Sequence, residues 1–240
     1  MKQLALDFAS QPLPTLDNFT AGRNGELLEN LRRLAAGQAR ERFFYAWGRP
    51  GSGRSHLLKG AVAAFQRGGT AAAYIGCKAD TRFAEGLDHM DCVALDDVDR
   101  LDDEGQVAAF DLYNALREHN GALVAAGSAP PVQLTLREDL VTRLAWGLVY
   151  QVHALTDEDK ARALSDHAAS RGLPLPREVC DYLLTRARRD MPSLLATLDA
   201  LDRYSLETRR PVTVPLVREL LSAAEPRGTG YGIRDTGSQP

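Results

Sequence analysis

The sequence predicts an α/β fold: a five-stranded parallel sheet between helices, followed by a small all-helical domain. Three observations predict it. Five short apolar runs alternate with stretches of helical periodicity as far as Leu155, and strands alternating with helices build a parallel sheet covered on both faces. A glycine-rich turn joins the first apolar run to the first long amphipathic pattern. Beyond Leu155 the apolar spacing is helical only.

Taken in order, FFYAW (43–47) is a short aromatic run bounded by charge and by Gly-Arg-Pro-Gly, the pattern of a buried strand. SHLLKGAVAAFQRGG carries apolar residues at helical spacing and stops on Gly68 and Gly69. AAAYI (71–75), CVAL (92–95), ALVAA (122–126) and LVYQV (148–152) supply the remaining strands, with helical stretches such as VAAFDLYNALREH between them. After Leu155 come TDEDKARALSDHAASRG, PREVCDYLLTRARR, MPSLLATLDALDRYSLETRR and VPLVRELLSAA. Thr156 reads as a helix cap, and Pro176 and Pro192 suit first-turn positions.

Composition bounds the function. At 240 residues and 44% hydrophobic content the chain can bury a core in one or two domains. A net charge of -3 and a pI near 6.0 oppose a nucleic-acid surface as the main business. Cys77, Cys92 and Cys180 are odd in number and far apart, which suggests neither a disulfide framework nor a metal cluster. With no secretory signal and no run approaching a membrane span, a cytoplasmic protein is expected.

GRPGSGRSHLL (48–58) almost spells a phosphate-binding loop, G-x-x-x-x-G-K-[ST]. Gly48, Gly53 and Ser55 fit, and Arg54 stands in the lysine position. The loop follows a strand and opens a helix, the setting phosphate binding needs, so Gly48, Gly51, Ser52, Gly53, Arg54, Ser55 and His56 are the candidate nucleotide contacts. CVALDDVD ends an apolar strand in carboxylates. Beside such a loop, Asp96 would orient a magnesium ion's water shell together with Ser55, and Asp97 would take the place of the base that positions an attacking water. Asp99 and Asp102 read as caps of the next helix.

These stretches, with AAGSAPP and LVTRLAWGL, resemble the AAA+ module of the DnaA/Hda family from about Leu16 to Leu221. The resemblance implies an ADP or ATP site with Mg2+ in residues 16–154 and a helical lid in 155–224. It also implies a sensor residue at Ser128 and, at Arg143, an arginine finger acting on the nucleotide of a neighbouring subunit. Arg54 keeps a positive charge beside the phosphates, but a planar guanidinium is not a lysine equivalent, which favours holding a diphosphate over rapid turnover. Pro192 falls where the family's lid carries a second sensor arginine, with Arg188 or Arg189 as substitutes from the preceding turn.

Two end segments complete the reading. QLALDF resembles the peptide by which replication proteins bind the ring-shaped sliding clamp: Gln3 for a polar notch, Leu4, Leu6 and Phe8 for an apolar groove, with residues 1–15 as peptide and tether. The glycine-rich stretch 225–240 reads as a disordered tail, leaving no length for a further DNA-reading domain. The resemblance thus implies a negative regulator of replication initiation, with DnaA and the clamp as partners, DNA reached through the clamp, and self-association possible. The alternatives are a self-contained AAA+ ATPase of the DnaA or clamp-loader type and a DNA-binding initiator.

Overall fold

The computed structural model describes residues 13–187 and 190–224. The clamp-like peptide (Gln3, Leu4, Leu6, Phe8), Arg188, Arg189 and the 225–240 tail therefore lie outside the described residues. The chain divides into two compact units, an α/β unit ending at Lys160 and a helical unit beginning at Ala161.

In the α/β unit a turn of 3-10 helix leads into α1 (Gly25–Ala35), followed by β1 (Phe43–Trp47), α2 (Arg54–Arg67), β2 (Ala72–Gly76) and β3 (Cys92–Asp96). Then come α3 (Asp103–Glu118), β4 (Ala122–Gly127), α4 (Glu138–Trp146) and β5 (Leu148–Gln151). The five strands form one sheet in the order β2-β3-β4-β1-β5, and every pair is parallel.

Alternation along the strands explains the two faces. Phe44, Ala46, Ala94, Val124 and Ala126 point to a core with Leu27, Leu31 and Leu34 of α1 and Leu57, Leu58 and Phe65 of α2. Their neighbours Tyr45, Val93, Leu95, Leu123 and Ala125 point to a second core with Leu112 and Leu116 of α3 and Leu140 and Leu144 of α4. A period of two with both faces apolar is what a fully covered parallel sheet requires.

β1 has the bounds read from the sequence, and the other four strands differ from that reading by a residue at one or both ends. β2 starts at Ala72 because the Ala71 amide donates to the Asp91 carboxylate at 2.8 Å and leaves the ladder. β3 extends to Asp96, whose carbonyl accepts from the Cys77 amide at 2.8 Å. The register sets Trp47 opposite Gly127 and Gly76 opposite Asp96. The loop after β1, the carboxylates ending β3 and Ser128 after β4 therefore share the carboxyl edge of the sheet, the edge where open α/β sheets bind ligands.

The helical unit comprises most of α5 (Asp157–Ser170), then α6 (Arg177–Arg186), α7 (Met191–Thr208) and α8 (Val214–Ala224). Its own core gathers Leu164, Val179, Leu183, Leu194, Leu198, Leu201, Leu216 and Val217. Pro192 lies in the first turn of α7, and the Asp190 side chain caps that helix by accepting from the Ser193 amide. Pro176, expected in the first turn of α6, is the capping residue ahead of it, since its ψ of 144° is extended.

Candidate functional site

The loop after β1 is built from glycines that no other residue replaces freely. A Cβ on Gly48 would lie 2.5 Å from the Val152 carbonyl oxygen, so the chain passes β5 with nothing to spare. Gly51 and Gly53 turn at φ of 79° and 105°, a region that side chains rarely adopt. A Cβ on Gly53 would also lie 2.8 Å from the Phe19 ring, because the segment ahead of α1 runs against the loop. Gly53 caps α2 without a side chain. The first-turn amides of α2 thus keep their capacity for an anion.

Three side chains around this loop are deeply buried: Ser52 at 5%, Arg54 at 8% and Asp96 at 3% exposure. Each carries an atom with no partner among the described residues, namely Ser52 Oγ, Arg54 Nη1 and Asp96 Oδ1. A buried polar group left unsatisfied costs about 1–3 kcal/mol. Two potential donors and one acceptor orphaned around one loop mark a place for a polar ligand. The donor set fits the group that the fold implies, with guanidinium, hydroxyl and helix-end amides for phosphate, and hard oxygens on Ser55 and Asp96 for Mg2+.

The other ends of these side chains are firmly held. Arg54 Nη2 donates to Asp97 Oδ1 at 2.8 Å. Asp97 adopts a left-handed backbone (φ 54°, ψ 49°) directly after β3 and has the Arg100 guanidinium 3.9 Å from its other oxygen. Asp97, expected as the base for water, is thus paired with the loop arginine. Asp96 Oδ2 accepts from the Tyr74 hydroxyl at 2.8 Å, and the Ser55 hydroxyl opposes part of the resulting rise in the phenol's pKa. Burial, then the Asp96 carboxylate, push the Tyr74 phenol well above its ordinary range, so it stays a donor.

Ser128 sits at the carboxyl end of β4, where its hydroxyl donates to Asp99 Oδ2 at 2.6 Å and its amide to Asp99 Oδ1 at 3.3 Å. Asp99 is therefore not a helix cap, a correction to the sequence reading, whereas Asp102 is one, accepting from the Gly105 amide at 2.8 Å. His56 faces the N-terminal segment, its Nε2 lying 3.0 Å from the Thr15 carbonyl oxygen and 2.8 Å from Asn18 Oδ1. Two acceptors on one nitrogen place the proton on Nε2. Burial holds this imidazole below its ordinary 6.5. Tyr74, Asp99 and Phe19 are the site residues that motif reading missed.

Arg143 is built separately, on α4. Its Nε donates to Asn114 Oδ1 at 3.1 Å, and its guanidinium lies 4.1 Å from the Trp146 ring centre, 5.3 Å from Phe110 and 5.8 Å from Tyr113. It lines an open groove of about 700 Å³ with Arg137, Glu138, Asp139 and Thr142. Its recorded partners belong to α3 and α4, and no carboxylate pairs with it among the described residues.

A glycine-rich loop at the carboxyl edge of a parallel β2-β3-β4-β1-β5 sheet, followed in the chain by a four-helix unit, is the architecture of the AAA+ fold. Within the helical unit, residues 157–221 match the family model described as Hda, lid domain. Among solved structures, domain III of the Thermotoga maritima replication initiation protein DnaA is 20% identical with a TM-score of 0.67, over 88% of this chain and 98% of that one. AMPPCP-bound DnaA from Aquifex aeolicus is 22% identical with a TM-score of 0.66, over 82% of this chain and 67% of that one. A Thermotoga maritima RuvB variant shares the fold at 14% identity and a TM-score of 0.61, over 87% of this chain and 72% of that one. The chain spans 65% of the length of a further match, a DNA replication initiation factor.

Proposed function

We propose that the chain is a negative regulator of chromosomal replication initiation that promotes hydrolysis of the ATP bound to DnaA. Held on the DNA-loaded sliding clamp through Gln3, Leu4, Leu6 and Phe8, it meets ATP-bound DnaA and presents Arg143 to that partner's nucleotide. Hydrolysis leaves DnaA in its ADP form. Its own loop would hold ADP, or ATP, as a structural ligand: Gly48 to Gly53 and the start of α2 would cradle phosphate, Arg54 would supply charge, and Ser55 and Asp96 would hold Mg2+. A bound magnesium ion would neutralise phosphate charge. Localisation is cytoplasmic, at the nucleoid by way of the clamp.

The observation that carries this reading is the contrast between two arginines. Arg54 is buried and committed to Asp97 at 2.8 Å. Arg143 is held in place by an amide and by aromatic faces, with no carboxylate paired to it among the described residues. A guanidinium oriented this way can act on developing phosphoryl charge in a neighbouring protein, where an arginine finger supplied in trans contributes roughly a thousandfold or more.

Hydrolysis of DnaA-bound ATP, with this protein, clamp and DNA each omitted in turn, tests the proposal. Arg143→Ala should abolish stimulation while ADP binding and clamp binding persist. Alanines at Gln3, Leu6 and Phe8 should abolish clamp binding and leave stimulation recoverable at high protein concentration. Normal stimulation by the Arg143→Ala variant sinks the in-trans mechanism.

A further inference from the structure

The two carboxylates ending β3 are divided between different partners. Asp96 is held by Tyr74 and keeps one buried oxygen unpartnered. Asp97 is held by Arg54, which in turn keeps one buried nitrogen, Nη1, unpartnered. A single guanidinium thus has one arm neutralised by a carboxylate and the other left for an anion. Its five N–H groups lie in a rigid planar fork, so it cannot swing wholly to the anion without releasing the carboxylate.

The residue at this position of a P-loop reaches the outer phosphates rather than the inner ones. Asp97, joined to the tip of Arg54, therefore stands toward the outer end of a bound phosphate chain. A triphosphate adds negative charge at that end, and like charges that share one cation in a partly buried setting repel with little screening. A diphosphate can take the free Nη1 and the helix-end amides while the Arg54–Asp97 pair stays closed. Asp97, in a left-handed conformation directly after β3, has its carboxylate on the loop arginine at 2.8 Å, and Arg100, at 3.9 Å and exposed, offers only a partial second counter-charge.

We infer that Asp97 is a specificity-determining residue that, by holding Arg54, makes this site select a nucleoside diphosphate over the triphosphate. This deepens the reading of the loop as a nucleotide site and rests on it. Asp97 acts here as a counter-charge, a role that does not require it to position a water.

The test is titration of the full-length, nucleotide-free protein with ADP and with ATP, each with Mg2+ and with chelator, for wild type, Asp97→Asn and Arg54→Lys. Asparagine tolerates the left-handed backbone and can still accept from Arg54, so Asp97→Asn removes the charge and little else. Wild type should bind ADP more tightly than ATP. Asp97→Asn should move the ADP-to-ATP affinity ratio about tenfold toward ATP, mainly through a tighter ATP constant, with chelator as well as with Mg2+. Arg54→Lys, which cannot bridge carboxylate and phosphate as a fork, should move the ratio the same way and serves if Asp97→Asn melts too low to titrate. An unchanged ratio in variants that bind both nucleotides overturns the selector while leaving the nucleotide site standing. A wild type that binds neither nucleotide overturns both.

Discussion

Tyr74→Phe removes one oxygen atom and should expose how the site is held together. The ring stays, and with it the Lys59 ammonium 5.0 Å from the ring centre. What goes is the donor to Asp96 Oδ2, 2.8 Å away. Asp96 is 3% exposed and its Oδ1 already lacks a partner, so in the variant neither oxygen is satisfied. Hydrogen bonds to charged groups contribute about 1.5–3 kcal/mol, and a chain of this size shifts its Tm by about 2–4 °C per kcal/mol. The nucleotide-free variant should melt lower by about 4–8 °C, taking a midrange loss of about 2 kcal/mol.

Stability alone does not separate packing from function, so the same melts are run with ADP at increasing Mg2+. If Tyr74 positions Asp96 for the metal's water shell, the Mg2+ concentration giving half of the ADP stabilisation rises several-fold. Tyr150→Phe is the control. Its hydroxyl bonds Asn30 at 2.7 Å and Glu26 at 3.0 Å, contacts made with α1 and not with the loop. That variant should lose stability with no change in Mg2+ dependence. A Tyr74→Phe protein that melts within a degree of wild type would refute the assignment of Tyr74 as the partner that holds Asp96.

Two further outcomes are expected. Gly51→Ala and Gly53→Ala should each lose about 1–2 kcal/mol for an alanine at positive φ. Gly53→Ala should melt lower of the two, because its Cβ meets the Phe19 ring at 2.8 Å while nothing lies within 4 Å of one on Gly51; equal melts would deny that Phe19 rests on the loop. For His56 the folded state depresses the imidazole below 6.5, through burial first and with Lys59 adding to it. The unfolded chain then binds the extra proton, so this residue's contribution is complete above pH 6.5 and is lost as pH falls from there toward the lower folded value. His56→Gln, which can still donate to Thr15 but does not titrate, should flatten Tm against pH over that window, and an unaltered slope would count against burial of the neutral ring.

What the sequence disclosed and what it hid follow one physical division. The loop was legible because the glycines at positive φ and the residues of the following helix turn lie consecutively. The three central strands, β1, β3 and β4, were legible because each is apolar on both faces, and errors of one residue arose where side chains and neighbouring strands set the ends, as with Asp91 taking the Ala71 amide. The pairings were hidden. Arg54 meets Asp97 across 43 positions, Ser128 meets Asp99 across 29 and Tyr74 meets Asp96 across 22. A motif names what each residue offers a ligand. It does not say which residues first satisfy one another, and that depends on the register that sets Gly76 beside Asp96 and Trp47 beside Gly127.

The same division bears on why an arginine, and not a lysine, occupies each of the two charged positions. A lysine at 54 could meet Asp97 or a phosphate as a point charge, but one ammonium cannot span both in a plane. A lysine at 143 would lose the stacking on Trp146 at 4.1 Å and the directed bond from Nε to Asn114, leaving a mobile cation where a fixed one is needed. Arginine pre-organises the charge in both places, inward against a carboxylate and outward against aromatic rings. In the proposed regulator this opposed use of one side-chain type keeps its own nucleotide at rest while it acts on a partner's.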